Sequence, residues 1–342
     1  MKIVVFGPAK RTGVLRDGEI VDISAAYAKY LRERDGERNA VSVAEALAPS
    51  DLGRFIEGGR RALDNAAKAL DYLYGKAGER TGVAGEQLIF DAEGAALHAP
   101  RAAGARVACA GGNFAEHAIA MAQRRAERGE ASPIEGDARD YVRKRGFWGF
   151  WKVDRESVGQ DGRLPYPARA THLDYEGEVA IVLAKQGKNI RARDYKDHVW
   201  GVTLLGDWSI RMSPEGGPLN FGMQKNFDNS CSIGPCVVVG EFDPLDIELE
   251  TLVNGEVRQK FSSGDMAFSY GEYLEYLSRD FTFYPGDMLS GGTGAGTAAD
   301  SSSAGDDGKP LPERFLKPGD LVEIRSPQIG TLRTRVAESQ GT

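Results

Sequence analysis

Asp174-Tyr175-Glu176-Gly177-Glu178-Val179-Ala180-Ile181-Val182-Leu183 is the stretch whose reading decides the fold. Its apolar, β-branched second half is strongly strand-like, and at a period of two the three acids of its first half project from one face. Like charges stacked on one face repel, so such a row either points into water or shares a cation. Asp207 shifts the balance toward the cation. It follows the apolar run Val202-Thr203-Leu204-Leu205-Gly206 and so sits where a buried strand emerges into a turn. Hard oxygen donors of this kind suit magnesium, manganese or calcium better than zinc or copper.

Outward from this stretch, strands dominate the rest of the C-terminal part. Asn254-Gly255 separates two strand-like runs, a strong hairpin signal, and Pro285-Gly286-Asp287 and Pro318-Gly319-Asp320 each introduce an apolar strand. Few helices alternate with strands after residue 130, which argues against a doubly wound parallel sheet and for an α+β fold. Residues 1 to about 75 read as a strand, a hairpin at Asp17-Gly18, a strand Ile20-Val21-Asp22-Ile23 and then helices. The apolar spacing from Leu52 through Phe55, Ile56, Leu63, Ala66 and Leu70 to Tyr74 predicts one long helix. Gly75 to Gly85 reads as a linker, and Pro100 ends an apolar tether. The predicted organisation is a small N-terminal α/β domain over 1–100 and a larger domain over 105–342.

The 342 residues contain 43 glycines, above the usual share of about 7%, and these fall between short β-rich runs as turns require. A net charge of −7 argues against a phosphate-backbone partner. Arg124, Arg125 and Arg128, with Arg143, Lys144 and Arg145, lie among acids and read as a solvated mixed face. No apolar run is long enough to cross a bilayer, and Met1 to Gly7 is too short for a secretion signal, so the expectation is a cytoplasmic protein with no membrane partner. Cys109, Cys231 and Cys236 show no ligand spacing and are expected to be reduced and buried.

His117 opens a helical segment directly after the strand-like Val107-Ala108-Cys109-Ala110 and the Gly111-Gly112 turn, a strand-to-helix transition suited to a catalytic group. Lys225 lies beside the apolar run 233–239 and is placed to stabilise a developing oxyanion. Gly291-Gly292-Thr293-Gly294-Ala295-Gly296-Thr297 has the backbone donors to wrap an anion, without the lysine of a phosphate loop.

Taken in order, Gly111-Gly112-Asn113-Phe114-Ala115-Glu116-His117, Phe150-Trp151-Lys152, Asp174-Tyr175-Glu176-Gly177-Glu178, Gly206-Asp207-Trp208-Ser209-Ile210-Arg211, Lys225-Asn226-Phe227-Asp228, Gly234-Pro235, Val253-Asn254-Gly255-Glu256, Pro285-Gly286-Asp287 and Gly292-Thr293 resemble the fumarylacetoacetate hydrolase family. The resemblance covers about residue 105 to the end, and the first hundred residues resemble the small N-terminal domain of bacterial members. It implies a mixed β-roll catalytic domain and a homodimer. It further implies that Glu176, Glu178 and Asp207 bind Mg2+ or Mn2+, with Ca2+ an alternative. His117 would be the general base and Lys225 would help the oxyanion, while Arg211, Gln224, Lys152 and Thr293 would meet substrate.

The implied activity is metal-dependent hydrolysis of a carbon-carbon bond in an acylpyruvate or related 1,3-diketone, with His117 activating water. The alternative is a hydratase, isomerase or decarboxylase of a 2-oxo acid using the same site. A non-catalytic binding module would show no metal dependence. Three positions depart from the family pattern. Where smaller relatives place a glutamate three residues after the histidine stands Ala120, so the carboxylate that orients His117 must come from elsewhere. Gly112 replaces an arginine and Gly294 a proline. Residues 118 to 150, ending in Phe147-Trp148-Gly149-Phe150-Trp151, are expected to form a mobile cover over the site.

Overall fold

The computed structural model describes residues 1–75, 80–127, 136–153, 155–214, 220–240, 242–303, 305 and 310–339. An 11-stranded sheet follows the order Ile89–Asp91, Glu19–Asp22, Arg11–Arg16, Lys2–Phe6, Cys231–Val238, Val199–Asp207, Gly177–Leu183, Met288–Thr293, Val107–Ala110 and Gly149–Lys152, with Leu97–His98 beside Lys2–Phe6. Only Met288–Thr293 and Val107–Ala110 pair in parallel there among the described residues. A five-stranded sheet (Glu256–Ser262, Glu248–Val253, Leu321–Ser326, Gly330–Ala337, Gly162–Pro165) and a two-stranded one (Ser209–Met212, His172–Asp174) complete the mixed α and β fold.

Alternation along the central strands divides two cores. Ala180 and Val182 face one cluster and Val179, Ile181 and Leu183 the other; Ile3 and Val5 divide from Val4 and Phe6 in the same way. The first cluster is roofed by the N-terminal helices through Tyr27, Leu31, Phe55, Ile56, Ala66 and Leu70. The second is covered by the five-stranded sheet through Leu249, Ile324 and Leu332, and by the helix Tyr270–Leu277. The strand therefore carries apolar residues at every position from Val179 to Leu183 because both of its faces are buried. Lys2–Phe6 pairs with Cys231–Val238, so residues 1–22 extend the sheet of the C-terminal part, and the first core joins residues from both.

The turn signals are realised. Asp17-Gly18 and Asn254-Gly255 both carry positive φ at the two central positions, the geometry that matches strand twist in a two-residue hairpin. The strands Met288–Thr293 and Leu321–Ser326 follow the two Pro-Gly-Asp turns. The three cysteines are free and buried, and burial pushes the Cys236 thiol up to about 11.

Two expectations are corrected. The helix predicted from Leu52 to Tyr74 is two, Leu52–Glu57 and Gly59–Gly75, because Gly59 takes φ +54, which breaks the helical path. The strand predicted from Asp174 is interrupted at Tyr175 and Glu176, so Asp174 ends a strand of the two-stranded sheet while Gly177–Leu183 belongs to the central one. Positions 76–79 of the linker and 128–135 of the expected cover, including Gly129 and Pro133, lie outside the described residues. Among the described helices none is long and apolar enough to cross a membrane.

Candidate active site

Register builds the acidic cluster. Gly177 pairs with Gly206, which sets Glu176 beside Asp207, and the Asp207 amide donates to the Glu176 carbonyl at 2.9 Å. Glu178, the second residue of the strand, lies opposite Thr293 of the next strand. Carboxylate oxygens of Glu176, Glu178 and Asp207 lie within 4.8 Å of one another, and all three residues are buried. Gly177 is required between them, since a Cβ there would sit 2.1 Å from the Thr251 hydroxyl oxygen.

Cations balance this cluster unevenly. The Lys225 ammonium donates to Glu176 at 2.5 Å, to Asp207 at 2.6 Å and to the Ser209 hydroxyl at 2.6 Å. Arg211 bridges Glu176 and Asp174, the latter at 2.9 Å. Burial alone would raise Glu176, but Lys225 and Arg211 outweigh it and hold that carboxyl below the usual carboxylate range. Glu178 has only the Ser290 hydroxyl as a side-chain partner among the described residues; burial, with Asp207 and Glu176 close by, pushes it well above that range. Three converging, buried oxygen donors, one of them without a cation, fit a divalent ion of the magnesium or manganese type.

His117 is the third residue of the helix Ala115–Glu127 and is buried. The turn before it is pinned by Asn113, whose amide donates to the carbonyls of Phe268 at 2.9 Å and Gly291 at 3.0 Å. The missing orienting carboxylate is Asp300, at 2.7 Å from His117 Nδ1. Asp300 ends its approach in the short helix Ala298–Ser301, capped by Thr297, and accepts the Gly296 amide at 3.1 Å. The anion that the glycine-rich loop wraps is thus the chain's own carboxylate. Gly296 takes φ +103, and a Cβ there would meet the Arg258 carbonyl at 2.0 Å.

A cavity of about 820 Å3 is lined by His117, Glu176, Glu178, Arg211, Gln224, Lys225 and Thr293 together. The Thr293 hydroxyl donates to the Gly177 carbonyl and accepts from Gln259, both at 2.8 Å. Lys152 does not join that lining among the described residues. Its buried ammonium pairs with Asp207 and donates to the carbonyls of Lys225 at 2.7 Å and Ser230 at 2.9 Å, so it holds Asp207 in the cluster. Asp174, read as one of a facing row of acids, anchors Arg211 and accepts the amides of Ala298 at 2.7 Å and Ala299 at 3.2 Å. It ties the strand end to the helix that carries Asp300.

These features carry a family signature. Residues 106–337 match the model of the fumarylacetoacetate hydrolase C-terminal domain. The chain belongs to the fumarylacetoacetate hydrolase family, a family of enzymes. Oxaloacetate tautomerase YisK of Bacillus subtilis is 29% identical over 327 residues, 94% of each chain. A fumarylacetoacetate hydrolase from Exiguobacterium antarcticum superposes with a TM-score of 0.67 at 24% identity, over 99% of both chains. A 2-hydroxyhepta-2,4-diene-1,7-dioate isomerase from Mycobacterium marinum does so with a TM-score of 0.54 at 27% identity, over 74% of this chain and 82% of its own. Proteins named as a tautomerase and an isomerase are thus among the chain's relatives.

Proposed function

We propose that this chain moves a proton at the carbon beside the keto group of a small anionic 2-oxo acid, interconverting its keto and enol forms, with His117 as the acid-base group. The pairing of His117 Nδ1 with Asp300 carries this reading. A carboxylate at Nδ1 favours the tautomer protonated there, which leaves the Nε2 lone pair to take a proton, and it stabilises the imidazolium that results. Glu176, Glu178 and Asp207 would hold a divalent ion of the magnesium or manganese type. A divalent ion bound there would supply Lewis-acid stabilisation of the negative charge that develops on a 2-oxo acid when it loses its proton. Lys225 places its ammonium against the Glu176 and Asp207 carboxylates, and Arg211 fixes Glu176 so that the ligand set keeps its geometry. The match to a tautomerase along 94% of both chains supports the same chemistry.

Cavity size supports a second reading. About 820 Å3 with Trp148, Phe150, Phe221 and Met121 on its walls exceeds what a four-carbon acid fills, so a longer acylpyruvate has room, and His117 would then deprotonate water for carbon-carbon cleavage. Proton NMR in D2O separates the two. With Mg2+ and a 2-oxo acid, loss of the C3 proton signal without new products supports the first reading. Release of a carboxylic acid and a shortened 2-oxo acid from an acylpyruvate supports the second. A chelator that leaves both reactions unchanged contradicts both.

A further inference from the structure

The break in the strand at Tyr175 gives Asp174 a task of its own. In the two-stranded sheet it pairs with Ser209, and Arg211 lies two residues further along that partner strand. Asp174 is fully buried and stands outside the three-carboxylate cluster, although only one residue separates it from Glu176. Its carboxylate is surrounded by donors instead. Oδ1 accepts the amides of Tyr175 at 2.9 Å and Ala298 at 2.7 Å, and Oδ2 accepts Arg211 Nε at 2.9 Å and the Ala299 amide at 3.2 Å. These fill the roughly four acceptor positions that a carboxylate has.

Two arms leave this carboxylate. The first runs to the acidic cluster: the Arg211 guanidinium, its side chain 12% exposed, donates through Nε to Asp174 and through a second nitrogen to Glu176, so it spans the two. The second runs to His117. Ala298 and Ala299 open the short helix Ala298–Ser301, and the next residue is Asp300, 2.7 Å from His117 Nδ1. Neither arm can slacken cheaply, because a buried carboxylate that loses a donor or its counter-ion keeps its desolvation cost without the compensation. Thr297 braces the same turn, its hydroxyl accepting the Asp300 amide at 3.2 Å. Among the described residues, however, only Asp174 accepts from both Arg211 and this helix.

Resting on the reading of the triad as the ion site and of His117 as the acid-base group, we infer that Asp174 is a positioning residue for both at once. Through Arg211 it fixes Glu176 of the triad, and through the amides of Ala298 and Ala299 it fixes the carboxylate that selects the His117 tautomer. The two halves of the site are then one mechanical unit. A change at Asp174 disturbs ion binding and imidazole orientation together, whereas Asp300→Asn disturbs the imidazole alone.

The experiment replaces Asp174 by Asn in the full chain, which keeps the size but sets an NH2 group against donors. Two readings need no turnover. One is the Mg2+ Kd by calorimetry; the other is the His117 tautomer from the ring 15N shifts of histidine-labelled protein, assigned by their loss in His117→Ala. The expected result is a Kd raised roughly 10- to 100-fold, as when the partner of a metal ligand is removed, together with a shift of His117 away from the Nδ1-protonated form. With Mg2+ saturating, kcat should fall by a similar factor while KM stays within a few-fold. Asp300→Asn should move the tautomer and leave the Kd in place. A folded Asp174→Asn protein in which only one of the two readings moves overturns the inference, and so does one in which neither moves. If Asp174→Asn does not fold, both readings are taken on Asp174→Glu, which keeps the charge but displaces its partners, and are judged in the same way. Proton exchange at C3 is scored separately. A parent protein that exchanges no 2-oxo acid proton, yet loses ion affinity and tautomer together in Asp174→Asn, would sink the proposed reaction and leave the positioning role standing.

Discussion

Glu178 is the carboxylate of the cluster against which no ammonium or guanidinium is paired among the described residues, while Glu176 and Asp207 share Lys225. Burial and the two neighbouring acids raise its pKa, so a divalent ion bound at the cluster would compete with a proton for this ligand. Metal affinity should therefore weaken as pH falls through the raised range of Glu178 and tighten as pH rises through it. Calorimetric Mg2+ titrations at a series of pH values test this; affinity that is flat above the range where ordinary carboxylates ionise contradicts it. Asp300 contacts His117 and, in the proposed reaction, would act through it as a positioning residue. Asp300→Asn should lower turnover by roughly 10²- to 10⁴-fold and displace the pH profile of kcat, with little change in Mg2+ affinity. A change below about tenfold would leave the imidazole oriented by something else. The triad was readable from alternation and motif order because register turns those spacings into proximity. Asp300 was not, because 183 residues separate it from His117 and no periodicity links them. Asp174 was misread for a related reason: a period of two holds only while the strand continues, and this one breaks at Tyr175.

At the scale of elements, the site depends on two strands staying in register at Gly177 and Gly206. Gly177→Ala forces a methyl onto Thr251, and overpacking of a buried strand should cost about 1–3 kcal/mol, read as a lowered Tm. Thr251→Ala should recover part of that loss in the double variant; Leu249 and Ile324, at 3.2 and 3.4 Å from the same point, limit the recovery. Full additivity of the two losses would show that the contact does not transmit the strain. Hairpins were legible because Asp-Gly and Asn-Gly carry their own backbone geometry. The split of the long helix was not, because apolar spacing continues across Gly58 and Gly59 while the backbone turns. The aromatic run 147–151, expected to end a mobile cover, is packed at both ends in this structure. Phe147 stacks on Tyr276 with centroids 4.8 Å apart, Trp151 packs on Phe281 at 5.3 Å, and Gly149–Lys152 is a strand of the central sheet.

For the whole molecule, the shared sheet and core bear on the proposed division into 1–100 and 105–342. Removing residues 1–100 would strip Lys2–Phe6 from the edge of Cys231–Val238 and expose Leu205, Val237 and Trp200 beneath the N-terminal helices. The fragment 105–342 is expected to aggregate or to lose cooperative unfolding. A soluble fragment with an unchanged Tm would make the two parts independent. A homodimer remains the proposal drawn from the family resemblance, to be checked by sedimentation equilibrium, where a purely monomeric chain at micromolar concentration would refute it. The central claim joins the triad, His117 and a 2-oxo acid in one reaction, and one measurement reaches all three. It is the rate of C3 proton exchange of oxaloacetate in D2O, followed by NMR with Mg2+, for the parent protein and for His117→Ala. The expected result is exchange well above the uncatalysed background that falls by roughly 10²- to 10⁴-fold in the variant and disappears with a chelator. Exchange that survives the loss of His117 or of the metal would contradict the claim.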